Sequence, residues 1–220
     1  MPMMCIMRFE DELRFVLPED LPRRDEAIVS AAKHLEMIAE ANEYMNLTRI
    51  TTPREAAIKH VLDSVLPWRL FAGVGHVLDA GTGPGYPGVP LAIVLPETRF
   101  TLVESTQKKA RFVESVIETL GLTNVTVSGL RAEDVLKTQR ADVVTARAVA
   151  PIGRALVLFG QALKAGSRCL LYKGPDAETE IAEAAAGARK RGVRMRVVER
   201  YDLPDALGTR TIVELTALKV

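Results

Sequence analysis

Asp79, Gly81, Gly83 and Gly85 alternate directly after the run His76–Leu78, and Pro84, Pro87, Gly88 and Pro90 complete the stretch HVLDAGTGPGYPGVP. So little side-chain bulk after a strand serves close approach of the backbone to a ligand, because glycine accepts conformations and contacts that a Cβ forbids. The leading acid bears on the ligand's charge: a strand-end carboxylate repels a pyrophosphate and attracts a cation. Glu104 ends the next apolar run, RFTLVE, where a carboxylate can accept from both hydroxyls of a ribose.

These residues need a scaffold that brings strand ends to one edge. HVLDA, RFTLVE, NVTVSG, ADVVTAR and SRCLLYKG read as short buried strands, separated by helical segments starting near Val89, Thr106, Ala132 and Pro151. That alternation predicts a doubly wound α/β sheet with helices on both faces. VRMRVVERYDLP and TRTIVELTAL have only a short loop between them, so they pair as an antiparallel hairpin at the sheet edge. Towards the N-terminus, Ile28, Ala31, Leu35, Ile38 and Met45 fall at helical spacing in a run starting near Pro22. Thr52, Pro53 and Glu55 open a second helix with a capping box, ending before Pro67. The expected organisation is an N-terminal helical extension over residues 1–74, packed on an α/β domain over residues 75–220.

With 220 residues, 48% of them hydrophobic, the chain can bury a substantial core. A net charge of +1 gives no overall attraction to nucleic acid or membrane, so an RNA contact must come from a local patch. Cys5 and Cys169 lack companions at metal-ligand spacing, so neither a disulfide framework nor a metal site is expected, and a reducing cytoplasm suits them. The opening MPMMCIMRFEDE has too short an apolar run for a secretory signal, and no segment is apolar enough to span a bilayer.

Two frames fit the glycines. G-x-G-x-x-G at Gly83, Gly85 and Gly88 is the dinucleotide fingerprint, but Pro84 and Pro87 occupy its turn. D-x-G-x-G-x-G from Asp79 resembles motif I of the class I S-adenosylmethionine methyltransferases, whose sulfonium and ammonium groups suit the acid. The terminal hairpin breaks the tie, because an antiparallel last strand belongs to the methyltransferase sheet. The expected fold is therefore a class I S-adenosylmethionine-dependent methyltransferase sheet, Rossmann-like, with an antiparallel C-terminal strand.

The acceptor is narrowed by what the chain lacks. Where adenine amino-methylases carry an N/D-P-P-aromatic box, it reads TARAVAP, Thr145 to Pro151, and neither cysteine lies where a cytosine C5 enzyme needs its nucleophile. An acceptor with a free lone pair, such as guanine N7, needs only to be held in line, and small-molecule amines or thiols also qualify.

NLTRIT (Asn46 to Thr51), HVLDS (His60 to Ser64), LDAGTGPGYPGVPLAIVLP (Leu78 to Pro96), RAED (Arg131 to Asp134), ARAVAP (Ala146 to Pro151) and YKG (Tyr172 to Gly174) occur in that order. Together, from about residue 26 to the C-terminus, they resemble the bacterial small-subunit rRNA guanine-N7 methyltransferases, also called glucose-inhibited division protein B. The resemblance implies methyl transfer from S-adenosyl-L-methionine to N7 of a guanine in 16S rRNA near the decoding centre, free or within the small subunit. It implies cofactor contacts at Gly81, Tyr86, Glu104, Ser105, Thr106, Ala132, Glu133 and Arg147, with Arg147 pairing with the methionine carboxylate or orienting RNA. Tyr86 stands where an apolar residue is common in that family, Glu104 where Asp is, and Ala146 where Ser often precedes the arginine. No side chain is assigned as a catalytic base, and a monomer is expected.

His60, Asp63 and Ser64 share a helix face by their spacing; they either line the acceptor side of the cleft or form a hydrogen-bonded surface cluster. A mid-helix serine lacks the turn and oxyanion site of a hydrolase. Asn46 and Lys173 complete the candidate RNA contacts. Lys108, Lys109 and Arg111 oppose the dipole of their helix and suggest a ligand role, whereas Arg189 to Arg191 sit where the dipole favours cations.

Overall fold

The computed structural model describes residues 8–50 and 52–218, so Cys5, the opening segment and Thr51 of NLTRIT lie outside the described residues. Seven strands form one sheet in the order β3-β2-β1-β4-β5-β7-β6. They are β1 (His76–Ala80), β2 (Arg99–Val103), β3 (Val125–Ser128), β4 (Val143–Arg147), β5 (Arg168–Lys173), β6 (Val193–Asp202) and β7 (Thr209–Ala217). The first five are parallel; β7 runs antiparallel to β5 and to the edge strand β6, the expected hairpin. Strand order reverses between β1 and β4, and the crevice outside the carboxyl ends of strands at such a switch point is where open α/β sheets bind ligands.

The N-terminal layer begins with α1 (Phe9–Val16), which sequence periodicity did not predict, and α2 (Arg24–Met45). The second expected helix is continuous but changes winding: α3 (Pro53–Ala56), a π-helical turn (Ala57–Leu62), then α4 (Asp63–Val65). Thr52 caps it by accepting from the Glu55 N–H at 3.3 Å, which is half of the box; the Glu55 carboxylate accepts from Lys59 Nζ at 2.7 Å and Thr52 Oγ1 at 3.5 Å and not from the Thr52 N–H. Six helices follow among the described residues: α5 (Gly88–Val94), α6 (Gln107–Leu120), α7 (Ala132–Thr138), the pair α8 (Ile152–Leu158) and α9 (Gly160–Lys164), and then α10 (Ala177–Arg191).

Apolar residues divide into two cores. One joins α1, α2 and the π-helical turn to α5, α6, β1 and β2, through residues such as Leu13, Ile28, Ile58, Leu91, Val113, Val77 and Phe100. The other joins α7–α10 to β4, β5 and β7 through Val144, Leu156, Phe159 and Leu215. The described helices that precede β1 thus share a core with the sheet.

Every residue of α5 is buried, which explains the glycine at its start. A Cβ on Gly88 would overlap Leu102 Cδ2 and lie 2.8 Å from Asp79 Oδ2. Gly88→Ala is expected to cost about 1–3 kcal/mol of stability by overpacking this contact. Thermal unfolding checks this; an unchanged midpoint would show that β2 yields without strain.

Candidate cofactor and acceptor site

After β1 the chain turns over the end of β2. Gly81 N–H and Thr82 N–H both donate to Val103 O, at 2.8 and 3.0 Å. Gly81 holds φ +70°, and a Cβ there would lie 2.8 Å from Val149 Cγ2 in the loop after β4. The loop's other anchor is Glu104: its Oε2 accepts from Gly83 N–H at 3.2 Å and its Oε1 from Thr106 N–H at 2.8 Å. Each oxygen retains a lone pair for a ribose hydroxyl. Gly81, Ser105, Ala132, Glu133 and Val149 line one cavity beside this loop, so residues spread over four segments converge there.

Asp79 is fully buried. Its Oδ2 accepts from Thr82 Oγ1 at 2.7 Å and Gly88 N–H at 2.9 Å, while its Oδ1 has no partner among the described residues. A buried carboxylate oxygen left without a donor is costly, and a cationic ligand resolves that cost. Burial raises its pKa from 3.8 to about 6, against the Thr82 and Gly88 hydrogen bonds. S-adenosylmethionine affinity should therefore rise between pH 5 and 7 as the carboxylate ionises, and Asp79→Asn should flatten the rise in calorimetry. The ligand-free protein behaves oppositely. The folded pKa lies above the unfolded one, so this group's stabilisation is complete below about pH 4 and is lost as pH rises through 6. A pH-independent affinity in the wild type would remove Asp79 from cation binding.

Tyr86 is stacked between two imidazoles: His34 at 4.8 Å and 24°, His60 at 4.7 Å and 8° between ring planes. His34 Nε2 donates to Pro84 O at 2.8 Å, tying α2 to the glycine loop, and burial lowers its pKa to about 4. His60 Nε2 meets Thr48 Oγ1 at 3.0 Å, and burial and then the charge of Arg147 lower its pKa to about 3. Both rings are thus neutral near pH 7. The Tyr86 hydroxyl is buried with no partner among the described residues, and burial raises its pKa.

Arg147, at the end of β4, places its guanidinium 5.3 Å from the Tyr86 ring centroid, in cation–π range. Its Nη1 donates to Lys59 O at 3.0 Å and Asp63 Oδ2 at 3.1 Å. Its Nε and Nη2 have no hydrogen-bond partner among the described residues and match the fork geometry of a carboxylate.

The structure corrects several expectations. Of the two readings of His60, Asp63 and Ser64, the surface cluster is contradicted, because all three are buried, while His60 and Asp63 line a cleft beside Arg147. Ser64 Oγ donates back to His60 O at 2.5 Å, and Asp63 serves the interior, accepting from Arg147, Arg210 and Tyr201. Lys173 is no free cation: its Nζ donates to Ala150 O at 3.0 Å and pairs with Glu180 at 2.7 Å, pinning the loop after β4 to α10. Lys108 reaches Tyr44 O at 3.1 Å, so a contact with the end of α2 accounts for its place on α6. Asn46, with φ 52° at the end of α2, is exposed and available to RNA.

Two site residues escaped the sequence reading. His34 lies on the apolar stripe of α2, three residues from Ala31 and four from Ile38, a signal that could have found it. Arg210 offers no local signal, because only the placement of β7 beside β5 brings it to the site.

A glycine loop at the switch point of this seven-stranded sheet, with acids ending β1 and β2, defines a class I methyltransferase. Solved structures agree in fold. The O-methyltransferase TomG from Streptomyces achromogenes, described in complex with SAM, gives a TM-score of 0.56 at 18% identity, covering 86% of this chain and 90% of that one. A SAM-dependent O-methyltransferase from Thermotoga maritima gives 0.56 at 17% identity, covering 83% and 72%.

Sequence comparison is more specific. Residues 28–205 match the family described as GidB, rRNA small subunit methyltransferase G. The Ribosomal RNA small subunit methyltransferase G of Solibacter usitatus is 68% identical over 209 residues, 95% of this chain and all of that protein. Its counterpart in Carboxydothermus hydrogenoformans is 36% identical, covering 82% of this chain and 79% of that protein. The chain belongs to the rRNA small subunit methyltransferase G family.

Proposed function

We propose that this chain transfers a methyl group from S-adenosyl-L-methionine to N7 of a specific guanine in 16S rRNA. The observation that carries the reading is the buried, unpartnered Oδ1 of Asp79 beneath a glycine loop, within a chain of this family. Bound there, the cofactor supplies an electrophilic methyl group on a sulfonium. The chain's own residues bind and orient it. Asp79 and the Gly81 backbone border the methionine end, Arg147 meets its carboxylate, Glu104 takes the ribose, and Ser105, Thr106, Ala132 and Glu133 border the base.

Guanine N7 already carries a lone pair, so positioning and exclusion of water do the remaining work and no proton need be abstracted. The acceptor is 16S rRNA, free or within the small subunit, and the reaction belongs to the cytoplasm, where subunits assemble. One chain provides every group named, which supports a monomer as the working unit. No helix among the described residues is long and apolar enough to cross a membrane.

Small subunits from cells lacking this gene, treated with the protein and cofactor and digested to nucleosides, test the chemistry. N7-methylguanosine is the expected product; a ribose-methylated or C5-methylated nucleoside would overturn the reading.

A further inference from the structure

Beside Arg147, on the side away from β1, a second cleft of about 380 Å³ is lined by Lys59, His60, Asp63, Arg147, Lys173 and Arg210. That size falls within the range of small-ligand clefts. Its floor is Asp63, whose side chain is 1% exposed. Arg147 reaches this carboxylate from β4 at 3.1 Å, and Arg210 reaches it from the start of β7 with Nε at 3.2 Å. Tyr201 from β6 donates its hydroxyl to the Asp63 carbonyl at 3.0 Å and to Oδ1 at 3.2 Å.

The charges do not cancel. Lys59 is matched by Glu55 and Lys173 by Glu180, each at 2.7 Å. Asp63 supplies one negative charge to two guanidiniums, leaving one positive charge over in an open cleft. The two arginines also differ in what they face. Arg147 stands over Tyr86 beside the glycine loop, whereas β7 lies two strands beyond β4, about 10 Å across the sheet. Arg210 spends Nε on Asp63 and Nη1 on Thr209 O at 3.3 Å; its Nη2 has no partner among the described residues, and its side chain is 23% exposed.

We infer that Arg210, held by Asp63, binds a phosphodiester of the substrate RNA next to the target guanine. The inference rests on the rRNA acceptor proposed above and gives that acceptor a second point of attachment. An arginine fork suits a phosphate, and a surplus cation beside the methyl-transfer site would fix the register of the strand without reading its sequence. Asp63 is the positioning residue common to both arginines, which explains why a carboxylate is buried under a cationic cleft.

Arg210→Gln tests this against the wild type with small subunits as the probe, by retention at several salt concentrations and by calorimetry with S-adenosylmethionine. RNA retention should weaken about 10-fold, and the slope of log affinity against log salt should fall by about one, the signature of one lost phosphate contact. Cofactor affinity should stay within about twofold, because Arg147 keeps its own bonds. Arg210→Lys, which keeps the charge, should restore most of the slope.

Modification of the wild-type protein by phenylglyoxal gives a second reading that needs no substitution. Small subunits should protect Arg210, and the cofactor alone should not. An unchanged slope with wild-type transfer intact, or no protection by RNA, would overturn this inference alone. Parallel loss of cofactor and RNA affinity would assign Arg210 to the cofactor carboxylate instead. Absence of transfer by the wild type would overturn the proposed function and, with it, this inference.

Discussion

Gly81→Val is expected to weaken S-adenosylmethionine binding by about 100-fold or more while leaving the chain folded. Two effects combine. At φ +70° a β-branched residue is strained by roughly 1–2 kcal/mol, enough to displace the loop that Gly81 and Thr82 anchor on Val103 O. The new side chain also points at Val149, so it fills the space between the end of β1 and the loop after β4, which the cofactor needs. Calorimetry gives the affinity, and circular dichroism confirms the fold. Wild-type affinity in a folded variant would mean that the ligand does not approach the Gly81 backbone.

Arg147→Ala should lower cofactor affinity by a comparable factor, about 100-fold, through a different route. It removes the fork offered to the methionine carboxylate, one of the two guanidiniums on Asp63, and the cation over Tyr86. Asp63 keeps Arg210 and Tyr201, so the stability loss should be only about 1–2 kcal/mol, less than for a buried ion left wholly unpaired. Arg147→Lys should recover little, since one ammonium cannot bond Lys59 O and Asp63 and still present a planar pair of donors. Equal affinity in wild type and Arg147→Ala would confine Arg147 to holding Asp63.

The strands and the glycine loop were legible because their causes are local. HVLDA became β1 residue for residue, and Glu104 lies against the glycine loop, accepting from Gly83 N–H. The hairpin was equally plain, since a short loop permits only an antiparallel return.

What stayed hidden depends on winding and on distant contacts. The spacing of His60 and Asp63 foretold that they share one cleft, but not the π-helical turn over Ala57–Leu62 or the burial of Asp63 under Arg147 and Arg210, which come from other strands. Lys173 looks like a strand-end cation offered to RNA, and only the three-dimensional neighbour Glu180 shows that it is spent inside the protein. Arg210 shows the converse: an ordinary strand residue in the sequence becomes part of the site through the pairing of β7 with β5.

The Asp79 and Gly81 loop is proposed to present a methyl donor to guanine N7 of 16S rRNA. The most direct test uses radiolabelled S-adenosylmethionine with small subunits from cells lacking this gene, comparing wild type with Gly81→Val and mapping label by cleavage at N7-methylguanine. Label is expected at one 16S guanine with the wild type and at none with the variant. Label on another atom, or undiminished transfer by Gly81→Val, would contradict it.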